Sequence, residues 1–302
     1  MDASGNVTAK GAGTATITIK AAATSNYNAA SKQITVTVAK GAQSITTKAK
    51  ASSVAVGKTV AVTTTGAKGT VTYKTSNTGI ATVNASTGVV TAKKVGTVKI
   101  TATAAATANY NAASKTVTIK VVPAATTLLK TENLAKGIKV TWAKVTGANG
   151  YDIYRNSSKV KTITSGTTVT WTDTAANTNN TKYVYKVVAK ASTGASTLSK
   201  SLTTYKVTAP TNKSAVNVAT RKAVLTWTRN ASANGYQVQY SLASNFSGAK
   251  TVTITKNATL TTTVSSLTKG KTYYTRIRAY KTVGSTKYYS NWSAARTVKI
   301  SK

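Results

Sequence analysis

The chain has 302 residues, with 41 Lys and Arg against four acids, no His and no Cys, for a formal charge of +37. Without His, and with Asp2, Glu132, Asp152 and Asp173 far apart in sequence, general acid–base catalysis and oxygen-ligated metal sites lack their usual residues. The absence of Cys excludes a disulfide framework, a thiol nucleophile and a thiolate metal site.

Hydrophobic residues make up 41% but include a single Phe and a single Met. The cores must therefore come from Val, Ile, Ala and a few Tyr and Trp, a bias that favours strands. With so few acids, internal salt bridges are expected to be nearly absent. Counter-ions or a polyanionic partner must then absorb the self-repulsion, and since Lys outnumbers Arg the charge is mostly diffuse points. A merely solubilising surface is the plainer reading of the same charge. No apolar run approaches the ~20 residues of a membrane span, and Met1–Lys10 does not read as a signal peptide; a signal sequence or wall anchor beyond either end is left open.

Taken in order, the chain opens on one copy of a repeat. Asp2–Val38 matches Asn84–Val122, with VTAK at Val7–Lys10 and Val90–Lys93, and NYNAASK at Asn26–Lys32 and Asn109–Lys115. Before the second copy stand Lys40–Val83, which have no counterpart before the first. Residues 1–39 thus read as the second half of a domain and 40–122 as a complete one. In the first copy Ala15, Ile17 and Ile19 point one way while Thr14, Thr16, Thr18 and Lys20 point the other. Ile34, Val36 and Val38 repeat the device, as in a sheet with one buried face. Lacking the strands that would cover it, this half is expected to have exposed edges and marginal order.

The complete copy predicts strands near Val54–Val56, Lys58–Thr63, Gly69–Lys74, Ile80–Val83, Val89–Thr91, Gly96–Thr103 and Thr116–Val122. Its stretches Thr75–Val83, Gly88–Ala92 and Gly96–Ala102 resemble a bacterial immunoglobulin-like domain of group 2, a module of surface proteins. Glycines there allow tight turns, and Ala and Thr allow close sheet packing.

Pro123 and Pro210 each follow a strand-like segment and read as domain joints, since proline cannot donate to a ladder. They delimit 123–206 and 207–302, a second repeated pair. Ile138, Val140 and Trp142 alternate on one strand, followed by Tyr151 in Asn149–Arg155; Ala223, Leu225 and Trp227 are followed in the same way by Tyr236 in Asn234–Tyr240. Both resemble fibronectin type III modules, whose early strand carries a core tryptophan. Leu267–Ala279 looks like that family's turn and tyrosine-corner strand, with Tyr273 as the corner tyrosine. Lys182–Ala189 aligns with it and puts Tyr183 in that role, although Asn177–Asn180 departs from the pattern upstream. The fold expected is all-β: tandem immunoglobulin-like β-sandwiches in a beaded rod. Strands of ~8 residues at ~3.3 Å each would give it a length on the order of 100 Å.

Few residues suggest chemistry. Asp152 and Asp173 share a module but are read as structural. Ser158–Lys161 fits S-x-x-K by chance in a chain rich in both residues. Gly57-Lys-Thr59 and Gly270-Lys-Thr272 are similar to the end of a phosphate loop but lack its earlier glycine, and read as turns entering strands. No catalytic, cofactor or metal site is expected. What remains is a surface: if Tyr273, Thr275, Ile277 and Ala279 face the core, Tyr274, Arg276, Arg278 and Tyr280 face outward, and Trp292, in Ser290–Ser293 on the expected last strand, joins them. Aromatics interleaved with Arg can stack on sugar rings or bases while pairing anions. The same residues can also form a self-contained cation–π ladder. Of Tyr288 and Tyr289, one should be core.

The resemblances imply a non-catalytic stalk or adhesion region of a bacterial surface or secreted protein, extracellular and a monomeric array. Its partners would be anionic cell-wall polymers or acidic glycans, or a host or matrix surface, held by many weak contacts. Two alternatives stand beside this. One is a protein binding nucleic acid non-specifically, since the charge alone would do so; the other is the accessory tail of a secreted hydrolase.

Overall fold

Alternating β-branched and polar residues give strands throughout, and the computed structural model, which describes residues 1–2 and 4–302, contains no helix among the described residues. The chain divides into two compact units, residues 1–124 with 190–196 and residues 125–189 with 197–302.

In the first unit, β1 (Gly13–Ala21) and β2 (Ala30–Val38) form an isolated antiparallel hairpin in which Ala15 faces Val36 and Ile17 faces Ile34. Almost every residue of this hairpin is exposed. Eight strands follow: β3 (Thr46–Ala49), β4 (Ser53–Ala55), β5 (Thr59–Thr65), β6 (Val71–Thr75), β7 (Ala81–Val83), β8 (Val89–Ala92), β9 (Gly96–Ala104) and β10 (Ala113–Val122). They make two sheets, ordered β4-β10-β9-β6 and β3-β5-β8-β7. Between the sheets pack Val60, Val62, Val90, Val98, Ile100, Ile119 and Val121. The strands expected here fall within a few residues of their predicted positions, and β3 is the one the sequence reading missed. Gly88 shows why the intervening turn needs glycine: its φ is +71°, and a Cβ would lie 2.3 Å from the carbonyl oxygen of Val62. Asn84 holds the same turn, its Oδ1 accepting from the amides of Ser86 and Thr87.

In the second unit the chain continues through β11 (Leu128–Asn133), β12 (Ile138–Trp142), β13 (Gly150–Arg155), β14 (Ser158–Ile163), β15 (Thr170–Asp173), β16 (Lys182–Ala191), β17 (Gly194–Ala195) and β18 (Leu202–Tyr205). Sheet β11-β12-β15 faces sheet β14-β13-β16-β17, with β18 also on β16. The pattern recurs in β19 (Asn212–Ala219), β20 (Lys222–Trp227), β21 (Gly235–Ser241), β22 (Lys250–Ile254), β23 (Thr261–Val264), β24 (Thr272–Val283), β25 (Thr286–Tyr289) and β26 (Arg296–Lys299). There β19-β20-β23 faces β22-β21-β24-β25, with β26 on β24.

The two cores are built alike. Trp142 meets Tyr151 edge-on at 5.4 Å, and Trp227 meets Tyr236 at 5.5 Å, all four rings being buried. Each tyrosine hydroxyl reaches back to accept from a loop amide, Val145 for Tyr151 and Asn230 for Tyr236, both at 3.0 Å. Tyr273 closes its corner as expected, its hydroxyl accepting from the Thr268 amide at 3.1 Å. Tyr183 is also buried, with the Arg155 guanidinium 5.9 Å above its ring.

One expectation is corrected: internal ion pairs do form. Asp173, 1% exposed, takes two hydrogen bonds from Arg155 Nη1, at 2.9 and 2.8 Å, and one from the Tyr185 hydroxyl at 2.9 Å. Asp152 accepts from Thr162 at 2.7 Å and lies 3.7 Å from Lys159; Glu132 pairs with Lys130 at 2.7 Å. Scarcity of acids limits how many cations can be paired, and still Glu132, Asp152 and Asp173 each find one, while Asp2 accepts from Ser4 and Asn6. The Tyr185 hydroxyl is pushed far up in pKa by burial and by the neighbouring Asp173 carboxylate.

The chain between the two sandwiches of the second unit is cross-braced by side chains. Asn133 Nδ2 donates to the carbonyls of Tyr205 and Tyr289, at 2.9 and 3.0 Å, while its Oδ1 accepts from the Val207 amide. Asn179 Oδ1 accepts from the Thr208 amide and its Nδ2 donates to Asn230 and Ser232. Lys206 is fully buried, with Nζ donating to the carbonyls of Leu134 and Gly137. Burial lowers its pKa.

Candidate functional site

Strand β24 sets out the surface that the sequence singles out. Its inward residues Tyr273, Thr275, Ile277 and Ala279 are all buried, so the residues between them face the other way. Tyr274, Arg276 and Arg278 are half-buried there.

Tyr280 departs from expectation. It keeps the outward register but is only 4% exposed. The cause is its cross-strand partner Gly235, which leaves room for the ring: a Cβ on Gly235 would lie 2.7 Å from the Tyr280 hydroxyl oxygen. Tyr289, 6.0 Å away, and Lys287, 4.9 Å above the ring, cover the rest. Tyr280 is therefore unavailable to a ligand.

Trp292 does join the arginines, though not on a strand. Ser290–Ala295 is irregular and runs beside β24 through serine hydroxyls. The amides of Ala279 and Ile277 donate to the hydroxyls of Ser290 and Ser293, each at 3.0 Å, while the Ser290 and Ser293 amides donate to the carbonyls of those same two residues. With its backbone fixed at both serines, the segment lays the indole over the strand. The Trp292 ring centre is 4.5 Å from the Arg276 guanidinium and 4.4 Å from that of Arg278. Residues two apart on a strand are separated by roughly 6.6 Å, so a ring this close to both lies between them. Phe246 stacks on Arg276 at 3.9 Å and Tyr289 on Arg278 at 4.0 Å, giving the alternation Phe246, Arg276, Trp292, Arg278, Tyr289.

The guanidinium edges are engaged as well. Arg276 donates from Nε and Nη2 to Oε1 of Gln239, at 2.9 and 2.7 Å, and Arg278 does the same to Gln237, at 2.9 and 2.6 Å. Burial lowers the pKa of both arginines. Each guanidinium is thus stacked on two rings and bonded through Nε and Nη2 to a glutamine of the neighbouring strand, and the arrangement is a zipper across the sheet. Gln237 and Gln239 were legible in principle, because both alternate outward on β21. Phe246 was not, since it sits in a loop at φ 62°, rare for a bulky residue, and reaches Arg276 only through the tertiary fold. Beside the ladder a cavity of about 390 Å³ is lined by Glu132, Asn133, Thr204, Arg278, Lys287 and Trp292.

Of Tyr288 and Tyr289, Tyr288 packs against the core and meets Tyr205 at 5.1 Å, while Tyr289 caps the ladder. Ser158–Lys161 lies on strand β14. Gly57, at φ +80°, and Gly270, at φ +81°, are turn residues leading into β5 and β24, as read from the sequence. Among the described residues no group of three or more acids could hold a metal ion.

These features define a class of module, and comparison with known proteins agrees. Residues 41–117 match the model of the bacterial Ig-like domain (group 2), and residues 208–296 match that of the fibronectin type III domain. The chain carries an immunoglobulin-like module of bacterial type followed by a fibronectin type III module. Exoglucanase B of Cellulomonas fimi is 30% identical over 200 residues, which are 57% of this chain and 17% of that protein, so the chain spans a small part of the relative it matches. Among solved structures, the chicken CNTN1 FN1-FN3 domains are 15% identical with a TM-score of 0.34, covering 87% of this chain and 100% of that one. A two-domain fibronectin type III segment from chicken tenascin is 15% identical with a TM-score of 0.28, covering 59% and 98%. No helix is long and apolar enough to cross a membrane among the described residues.

Proposed function

We propose that the chain is a non-catalytic spacer and adhesion region of a secreted or surface-exposed bacterial protein, held to anionic wall polymers or acidic glycans by its distributed lysines. The observation that carries this reading is the charge left over. Glu132, Asp152 and Asp173 meet cations of their own module, while the formal charge of +37 stands whatever the pairing. Lysines such as Lys99 and Lys120 sit on outward, exposed positions of β9 and β10. A polyanion laid along such a surface gains many small attractions and displaces counter-ions, with no single pocket required. The arginine–aromatic ladder does not compete for this role, because its rings are stacked on the guanidiniums and the Nε and Nη2 donors of both arginines are taken by Gln239 and Gln237. Similarity to part of an exoglucanase supports the related reading of an accessory region beside a carbohydrate-active domain.

Retention on columns of teichoic-acid-bearing wall, polygalacturonate and neutral cellulose, read from about 0.05 to 0.5 M salt, tests the proposal. Retention should be strong on the two anionic supports at low salt and fall steeply as salt rises. Retention that ignores salt, or a preference for cellulose, would show that a specific sugar site and not charge is at work.

A further inference from the structure

The two sandwiches of the second unit share one frame. Tyr151–Tyr154 on β13 corresponds to Tyr236–Gln239 on β21, and Tyr183–Lys190 on β16 to Tyr273–Tyr280 on β24. The irregular segment beside the long strand is fixed alike in both. The Val187 amide donates to the Ser199 hydroxyl at 3.0 Å and the Ser199 amide to the Val187 carbonyl at 2.9 Å, as Ile277 and Ser293 do in the last module. Yet none of the arginine–aromatic ladder recurs. Lys186 stands in the place of Arg276, Val188 in that of Arg278, Leu198 in that of Trp292 and Ala195 in that of Tyr289. Phe246 has no counterpart, because the long β21–β22 loop that carries it is reduced between β13 and β14 to Asn156 and Ser157.

What the ladder fills in the last module is open in the one before it. The short turn, with φ of 48° at Asn156 and 71° at Ser157, is clipped to β16: the Asn156 amide donates to the Val184 carbonyl at 2.9 Å and the Val184 amide to Asn156 Oδ1 at 3.0 Å. Beside it lies a cavity of about 480 Å³ whose lining includes Tyr154, Asn156, Lys182, Lys186 and Ser201. Tyr183, Tyr185 and Val187 are buried, so Lys182 and Lys186 project to the same outer side, roughly 13 Å apart along the strand at ~3.3 Å per residue. The Tyr154 phenol is half-buried there, where the last module has Gln239 clasping Arg276. The acids of this module are engaged elsewhere, Asp152 by Thr162 and Lys159, Asp173 by Arg155 and Tyr185, Glu132 by Lys130, and none of the three lines the cavity.

We propose that this face is a subsite for an acidic sugar unit, a pyranose bearing a carboxylate within a glycan chain. Tyr154 offers its ring to the C–H face of the sugar, Lys182 and Lys186 take carboxylates of the same or neighbouring units, and the Ser201 hydroxyl meets a ring hydroxyl. Two cations spaced along one strand suit a chain of charges better than a single small anion. A neutral sugar leaves both ammoniums unmatched, and a polyol phosphate has no ring for Tyr154. The subsite rests on the reading of the chain as a binder of acidic glycans, and adds to it one place where the sugar ring counts as well as the charge.

The test titrates the full chain with a galacturonate trimer at about 0.15 M salt, where exposed charges are screened beyond ~8 Å, and follows backbone amide chemical shifts. The amides of Tyr154, Lys182, Lys186 and Ser201 should move, while those of Gln239 and Arg276 on the matching face of the last module stay in place. Tyr154→Ala and the pair Lys182→Gln with Lys186→Gln should each weaken trimer binding by at least about 5-fold. The charge-matched pair Lys99→Gln with Lys120→Gln should leave it within about 2-fold. The proposal falls if the charge-matched pair weakens trimer binding as much as the cavity pair, or if Tyr154→Ala leaves it unchanged. It falls equally if a glycerol phosphate trimer or a neutral galactose trimer moves the same amides as strongly. Should the galacturonate trimer move none of them while retention on the anionic columns keeps its salt dependence, the subsite is lost and the distributed-charge reading stands. Retention that ignores salt, with the trimer shifts intact, would keep the subsite and overturn that reading instead.

Discussion

Replacing Trp292 with Ala takes the central ring out of the ladder and separates two readings of the same surface. The indole lies 4.5 and 4.4 Å from two guanidiniums that are themselves half-buried. A cation–π contact contributes about 0.5–1 kcal/mol when exposed and about 2 when desolvated, so two partly buried contacts amount to about 2 kcal/mol. Loss of the half-buried ring surface adds about 1 kcal/mol. Urea unfolding of the last module should therefore register a loss of about 2–3 kcal/mol, with faster amide exchange at Ser290–Ala295. Arg278→Lys keeps the charge but loses the planar fork to Gln237, and combined with Trp292→Ala it should show a coupling of about 1 kcal/mol. Neither change alters net charge, so salt-dependent retention on anionic polymer should stay as in the parent. A cost under about 0.5 kcal/mol for Trp292→Ala together with abolished retention would show that the ring serves a ligand and not the sheet.

Two further changes probe the buried charges. Asp173→Asn leaves the Arg155 guanidinium without its carboxylate and weakens the Tyr185 contact; a loss of about 3 kcal/mol in urea is expected, and a change under about 1 would mean that Arg155 rehydrates freely. Lys206 has a folded-state pKa lowered by burial from the usual 10.5, so holding its proton works against the fold. Below the lowered value that penalty is constant; as pH rises through it towards 10.5 the folded state sheds its proton first and stability increases. The stability of the parent relative to Lys206→Met should accordingly grow with pH in that window and level off above it. A flat difference would show that the ammonium is solvated in the folded chain.

Much of the architecture was legible because period-two alternation is a local property. Ile138, Val140 and Trp142, or Ala223, Leu225 and Trp227, can be assigned to a core from spacing alone, and all are buried. The repeat likewise marked β1–β2 and β9–β10 as counterparts, and the two hairpins share one register. The candidate surface was legible only in part. Alternation placed Arg276 and Arg278 outward and suggested Trp292, but which groups meet them depends on residues distant in sequence. Tyr280 went astray for the same reason: outward register does not mean exposure when the opposite strand offers a glycine.

Composition and periodicity were enough to read this chain as all-β, built of repeated sandwich modules, strongly cationic, without His and with only four acids. They act through nearest neighbours and through sums, which need no fold to be evaluated. What needed the folded chain is that Asp152, Asp173 and Glu132 each find a cation, and that Phe246 and the Gln237 and Gln239 side chains close the ladder. Those outcomes rest on contacts between segments far apart in the chain, where desolvation and packing geometry set which partner is met.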